Sequence, residues 1–467
     1  MDLNKLSRER ARDLLRQAHR FHFIGVGGVG MSALARILAH EGKSVSGTDR
    51  DDSPHLDQMR REGLLVKVGH SAEAVHGAEA VVATTALQPD NVELMEARRL
   101  GLPILHRAEL LAAIAAQKPS VAVTGTHGKS TTTAMTGHVL AAGGLDPLVI
   151  VGGDVNEWGG NVRFGSGPWT IFEACESDHT LLLYEGSCQV ITSLEPDHLD
   201  QYKTFDALCG TMRQFVQKAN AKGFVVYNTD SETVQETVRG APAQSLGYGV
   251  RSGDYRIRDV VAKGEEGLSF RLEGPSGSVP VSLRLYGPHN AMNAAAALAV
   301  GEQLGVPASL AAESLAAFQG VARRFERLGS LGTSIVIDDY AHHPTEISAC
   351  LSAAREHLDR PILAIFQPHL YTRTRDLMPQ FAEAFGDADD VIITEIYAAR
   401  EEPIPCITGE VLAKWVAQKR DGRSTRFLST FDQITKFVRQ HYRNGWAVLV
   451  IGAGDIRKVG ERLVERA

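Results

Sequence analysis

The chain has 467 residues, 43% of them hydrophobic and 22% charged, a globular composition that excludes collagen-like and disordered chains; at roughly 150 residues per domain, about three domains are expected. Lys and Arg number 49 against 56 Asp and Glu, a net charge of -7, so no general positive field is present to hold a nucleic-acid backbone. No apolar run approaches the ~20 residues of a membrane helix, and the N-terminal residues lack an apolar core followed by a cleavage site; a cytoplasmic protein acting on neither nucleic acid nor membrane is expected.

In chain order, the basic residues from Lys5 to Arg20 are interleaved with Glu9 and Asp13 and read as a solvated amphipathic helix. Runs at Phe21–Ile24, Ser44–Thr48 and Ala80–Thr84 read as strands around a helical pattern at Met31–His40, the alternation that builds a parallel sheet. A polar stretch at residues 117–120 marks a boundary before a second α/β unit, with strands at Val121–Thr124, Trp169–Phe172, Val190–Ser193 and Gly223–Tyr227. Alternation between Tyr255 and Leu285 predicts antiparallel strands. An Ala-rich helix at Asn290–Leu304 follows, and residues 329–333 read as a hinge. A third α/β unit has predicted strands at Ile335–Ile337, Ile362–Phe366, Val391–Thr394 and Ala447–Ile451. The five cysteines, Cys175, Cys188, Cys209, Cys350 and Cys406, show no C-x-x-C spacing and are expected to be reduced thiols.

Two glycine-rich turns carry the chemistry. Gly25-Val26-Gly27-Gly28-Val29-Gly30 follows a strand and opens a helix, with Asp49 closing the next strand. These glycines allow a tight turn, and the helix N-terminus offers N–H groups and a positive dipole end to a diphosphate. Any nucleotide diphosphate suits this turn, and nicotinamide is not specified. Gly125-Thr126-His127-Gly128-Lys129-Ser130-Thr131 also lies between a strand and a helix, where Lys129 can reach terminal phosphates and Ser130 can ligate magnesium; Val123 stands where the strict motif has its first glycine. Two such turns imply that two phosphorylated ligands are brought together. Carboxylates and histidines follow at strand ends: Glu173, Glu176 and Asp178, then Glu195, Asp197, His198 and Asp200. Strand ends line the ligand crevice of a parallel sheet, and carboxylates there can hold magnesium. In the third unit, Asp338 to Glu346 and Gln367 to Arg375 again follow strands and suggest a substrate pocket.

In order and spacing, the runs FHFIGVGGVGMSALARIL, SGTD, TGTHGKSTTTAM, EACESD, EPDHLD, GPHNAMNAAAA, RRFE, IDDYAHHPTEI, FQPHLYTRTRDL and IGAGDI resemble the Mur ligases of peptidoglycan synthesis over nearly the whole chain. The resemblance implies a three-domain α/β enzyme. Residues 1–118 would form a Rossmann-like domain for a UDP-sugar, 119–328 a central P-loop-type ATPase with an antiparallel β addition, and 329–467 a Rossmann-like domain receiving an amino acid. By the same analogy Gly25, Gly27, Gly28 and Gly30 hold a UDP diphosphate, with Asp49 near the nucleotide and His70 near uracil. Gly125, Thr126, His127, Gly128, Lys129, Ser130 and Thr131 cradle ATP. Ser130, Glu173 and His198 take magnesium, Asn290 and Asn293 contact adenine, Arg324 binds phosphate and Asp339 binds ribose, the last two from across a domain junction. Lys129, Glu173, His198 and Arg324 form the implied catalytic set, and Tyr340, His342, His369 and Arg373 receive the amino acid.

The opening glycine run and the HHPTE and QPHLYTRT runs look more like the branch that joins L-alanine to UDP-N-acetylmuramate than one that reattaches a preformed tripeptide. The implied chemistry is attack of the lactyl carboxylate on the γ-phosphate of ATP, then displacement of phosphate by the amine, in a monomer or homodimer that closes its domains. Two positions depart from the family pattern: Cys175 replaces an aspartate and Leu370 an arginine. A nicotinamide oxidoreductase would leave the Lys129 loop and the third unit without a role, and a non-catalytic regulator would not turn over ATP.

Overall fold

The structure is a computed structural model that describes residues 6–85, 87–177, 179–399 and 401–465; Asp178 and the side chain of Asp200 lie outside the described set. Two compact units are present, Met1–Ile257 with Leu272–Val279 and Met292–Leu315, and Arg258–Arg271 with Pro280–Ala291 and Ala316–Ala467.

The first sheet is fully parallel, in the order Leu65–Val68, Ser44–Asp49, Arg20–Ile24, Ala80–Ala83, Ile104–His106. Its order reverses direction at the Arg20–Ile24 strand, so the ligand crevice of this doubly wound arrangement opens where the glycine run begins. The following helix, Val29–His40, buries Met31, Leu34, Ile37 and Leu38, and its N-terminal end is left at the sheet's carboxyl edge. The expected amphipathic helix is Arg8–Gln17; Ser7 caps it by accepting from Arg10 N–H, and of its residues only Ala11 and Leu15 are buried.

The second sheet has ten strands, in the order Gly277–Leu283, Leu268–Gly274, Tyr255–Ala262, Gln244–Gly249, Phe224–Asn228, Cys188–Ile191, Ser120–Thr124, Thr170–Glu173, Leu148–Val155, Gly160–Arg163. The strands from Gln244–Gly249 to Leu148–Val155 pair in parallel. Leu148–Val155 then folds back on Gly160–Arg163 as an antiparallel hairpin. The central Ser120–Thr124 strand is buried along its whole length, as a parallel strand covered on both faces must be.

The third sheet runs Glu326–Leu331, Ser334–Asp339, Ala447–Ile451, Ile362–Phe366, Asp390–Ile393, Thr425–Phe427, parallel except for its first pair. Alternate residues of its strands enter two separate apolar clusters, Ile335 and Ile337 on one face and Val336 on the other. One expectation is corrected here: residues 329–333 are not a hinge. Glu326–Leu331 pairs antiparallel with Ser334–Asp339, and Gly332, at φ 63°, supplies the left-handed turn that a tight hairpin needs. The Gly and Thr content of a hairpin tip imitates that of a linker. Among the described residues no helix is long and apolar enough to cross a membrane.

Candidate active site

The loop from Gly125 to Lys129 joins the buried central strand to the helix Lys129–Ala142. The segment after Cys188–Ile191 clasps it: Thr126 N–H donates to the Ser193 carbonyl at 3.0 Å, His127 N–H to Ser193 Oγ at 2.8 Å, and Thr192 Oγ1 to the His127 carbonyl at 2.6 Å. A Cβ on Gly125 would stand 2.2 Å from Thr192 Oγ1, and one on Gly128, at φ 81°, 2.6 Å from Asn293 Oδ1. Both glycines are therefore required by close approach and by backbone conformation. Asn293 also accepts from Thr132 Oγ1 at 3.2 Å, so the structure brings this predicted residue to the loop.

Behind the loop lies an acidic cluster. Ser130 Oγ donates to Glu173 Oε2 at 2.7 Å, and Gly152 N–H donates to the same oxygen at 2.9 Å. A hydroxyl beside a carboxylate oxygen is the hard-oxygen donor set that magnesium takes, so these residues fit the ion. Lys129 Nζ donates to the Gly125 carbonyl at 2.6 Å, the Thr126 carbonyl at 3.0 Å and Glu176 Oε1 at 3.0 Å. His198 Nε2 is 3.4 Å from that same Glu176 oxygen. Burial alone would push the Glu176 carboxyl up, but the Lys129 ammonium and the His198 imidazole outweigh it and hold the group below the usual carboxylate range. Burial likewise works against the Lys129 charge, and Glu176 with its neighbours more than offsets that. His198 sits at φ 54°, a conformation uncommon outside glycine that accumulates at functional sites. Burial pushes the Cys175 thiol above its ordinary value, and it donates to Ser177 Oγ.

At the first sheet, Gly25 takes φ 79°, and Gly25 and Val26 donate to the Thr48 carbonyl. Asp49 is turned onto the loop, where Oδ2 accepts from Gly27 N–H at 2.8 Å. A Cβ on Gly27 would meet Leu56 at 2.5 Å, whereas one on Gly30 would lie 3.7 Å from the Arg107 guanidinium, a cation the sequence reading passed over. Gly28 caps the helix. His70 is fixed through Nδ1, 3.0 Å from Thr48 Oγ1 and 3.2 Å from Glu93 Oε1. Glu93, fully buried, also meets His22 Nε2 at 3.1 Å; burial pushes it up, yet His22 and Thr48 hold it low. Sequence reasoning missed this network because His22 and Glu93 are 71 positions apart and only the fold brings them together.

The second unit gathers the predicted amino-acid residues. Tyr340 and His342 have ring centroids 5.4 Å apart, His342 and His369 6.0 Å. Arg373 Nη1 lies 3.3 Å from His369 Nδ1. Tyr397, which the sequence gave no reason to single out, stacks on His369 at 5.6 Å. Arg324 stands 5.3 Å from the Tyr340 ring centroid, a cation–π contact, and 3.7 Å from Glu346. Asp339 accepts from Ala341 N–H and Phe325 N–H at 2.7 and 2.8 Å; burial nevertheless raises its carboxyl from 3.8 to about 6, against the pull of Arg324. Asn290 is held by the Tyr286 carbonyl at 2.8 Å. Beside it His289 is lowered to about 4 by burial and by Arg324.

Comparison with known proteins gives concordant matches. Family models match in succession: "Mur ligase family, catalytic domain" over residues 20–119, "Mur ligase middle domain" over 123–301 and "Mur ligase, glutamate ligase domain" over 323–454. A UDP-N-acetylmuramate--L-alanine ligase of Anaeromyxobacter sp. (strain Fw109-5) is 42% identical, covering 95% of this chain and 97% of its own. One from Carboxydothermus hydrogenoformans is 39% identical, covering 96% of each. A crystal structure of UDP-N-acetylmuramate-alanine ligase from Thermotoga maritima aligns with a TM-score of 0.83 at 29% identity, over 96% of this chain and 98% of that one. A murein peptide ligase from Psychrobacter arcticus gives 0.72 at 22% identity, over 95% and 98%, a likeness of fold.

Proposed function

We infer the reaction from the premise that the chain belongs to the Mur ligase family. It is an ATP-dependent ligase that joins L-alanine to the lactyl carboxylate of UDP-N-acetylmuramate in peptidoglycan synthesis, releasing ADP and phosphate. The observation that carries this reading is the full-length likeness, at 42% and 39% identity, to UDP-N-acetylmuramate--L-alanine ligases.

Residues 1–118 serve as the UDP-sugar domain, 119–328 as the ATPase and 329–467 as the amino-acid domain. In the first, Gly25 to Gly30 receive the UDP diphosphate at the helix N-terminus, with Asp49 bracing the turn and His70 facing the base. In the second, Gly125 to Thr131 wrap the ATP phosphates. Asn290 and Asn293 take adenine, Asp339 the ribose and Arg324 a phosphate. Ser130, Glu173 and His198 would hold magnesium, which supplies charge neutralisation on the phosphates when bound. Tyr340, His342, His369 and Arg373 form the amino-acid site; a guanidinium there suits a carboxylate through forked hydrogen bonds.

A carboxylate does not acylate an amine unaided, because its oxygen is a poor leaving group. Attack of the lactyl oxygen on the γ-phosphorus forms the O–P bond and releases ADP. The alanine amine then attacks the acyl carbon, and the C–O bond breaks with the electron pair leaving on phosphate. Lys129 and Arg324 neutralise developing charge, and the rest of the acceleration is positioning. The test is isotopic: UDP-N-acetylmuramate carrying oxygen-18 in its lactyl carboxylate transfers one labelled oxygen to inorganic phosphate for each amide formed. Label in AMP, with pyrophosphate released, contradicts the acyl-phosphate route.

A further inference from the structure

The Lys129 ammonium has three protons, and all three have acceptors: the Gly125 carbonyl, the Thr126 carbonyl and Glu176 Oε1. No donor capacity is left for a phosphate. The lysine assigned to the nucleotide is thus occupied before the nucleotide arrives. Its charged partner is a fully buried carboxylate, and the second oxygen of that carboxylate, Glu176 Oε2, is buried with no hydrogen-bond partner among the described residues. A buried carboxylate with one unsatisfied oxygen is costly to maintain, and it belongs to neither the metal set nor the amino-acid cluster. Its backbone is pinned, since Tyr202 Oη donates to the Glu176 carbonyl, so the main chain under the carboxylate stays put when the lysine moves.

We propose that Glu176 is a latch on Lys129: a positioning residue that parks the ammonium at the mouth of the loop in the empty enzyme and gives it up to phosphate when nucleotide binds. The proposal rests on the reading of Gly125 to Thr131 as the ATP loop. His198 makes the exchange feasible. It lies 3.4 Å from the same Glu176 oxygen, so without magnesium on His198 the carboxylate keeps one polar partner after the lysine departs. The latch lowers apparent nucleotide affinity, because binding must first break an internal ion pair. It also keeps the lysine charged in a site where burial opposes the charge.

The experiment is a double-mutant cycle on the full chain, with the affinity for the non-hydrolysable ATP analogue AMP-PNP measured calorimetrically in magnesium-free buffer. Glu176→Gln keeps the shape and removes the charge, and it is expected to bind AMP-PNP about tenfold more tightly than wild type. In a Lys129→Ala background the same substitution is expected to change affinity less than about twofold, because no latch remains to release. Equal or weaker binding by Glu176→Gln overturns the proposal. So does an equal gain in both backgrounds, which would be charge repulsion between Glu176 and the phosphates. Should Glu176→Gln fail to fold, Glu176→Asp retracts the carboxylate by one methylene, and the same gain confined to the Lys129 background is expected. Absence of AMP-PNP binding to the wild type would instead overturn the ATP assignment of the loop, and the latch with it.

Discussion

At the scale of single residues, the glycines and Lys129 were legible because their chemistry is encoded in local sequence: a strand, a turn that tolerates no Cβ, and a helix start. Glu176 was visible only as one carboxylate of the Glu173-Ala174-Cys175-Glu176 run. What separates it from Glu173 is direction and burial, and both come from the tertiary environment. Asp339 poses the same problem. Its position after a strand was readable, but its carboxyl is shifted to about 6 because burial strips it of water, and the backbone donors and Arg324 only partly offset that. The folded value lies above the ordinary 3.8, so the folded state binds the proton more tightly. The stability this contributes is fully present below about pH 4 and is lost as pH rises through about 6. Asp339→Asn cannot ionise, so its melting stability relative to wild type should move in the variant's favour by up to about 3 kcal/mol between pH 4 and pH 7. That change is superimposed on a constant cost for one lost acceptor. A stability gap that does not change with pH would contradict the assignment.

At the scale of elements, the parallel strands with unbroken apolar runs were found within a residue or two, since Ile362–Phe366 and Ala447–Ile451 have no other means of burying their side chains. The Leu148–Arg163 hairpin escaped because Gly152, Gly153, Gly159 and Gly160 dilute its alternation. It nonetheless ties the first sheet to the Gly125–Lys129 loop. Asp154 Oδ1 lies 3.1 Å from His55 Nε2, whose Nδ1 lies 3.2 Å from the Gly27 carbonyl of the glycine run. Asn161 Nδ2 donates to the Val29 carbonyl, and Gly152 N–H reaches Glu173. The hairpin is thus one continuous path between the two glycine turns. The Asp154 carboxylate raises the His55 imidazole above its ordinary 6.5 despite burial. The pair's contribution is present below that value and fades as pH climbs through the raised one. Asp154→Asn should therefore lower stability by about 1 kcal/mol at pH 6, discounted for the partial exposure of Asp154, and by little at pH 9. An equal loss at both values would show that the ion pair contributes nothing.

At the scale of the whole molecule, the three-sheet α/β architecture was legible from the alternation of strands and helices, and the family from the order of its motifs. The misread hinge at residues 329–333 came from composition alone: Gly332 and Thr333 belong as naturally to a hairpin tip as to a linker. The central claim is the identity of the amino substrate, which rests on the full-length likeness to alanine-adding ligases and on no single motif. The most direct measurement is phosphate release from ATP with magnesium and UDP-N-acetylmuramate, with either L-alanine or the L-Ala-D-Glu-diaminopimelate tripeptide added and the product mass determined. Release with L-alanine, with a product heavier by one alanine residue, is the predicted result; release with the tripeptide alone, or with neither, would contradict it.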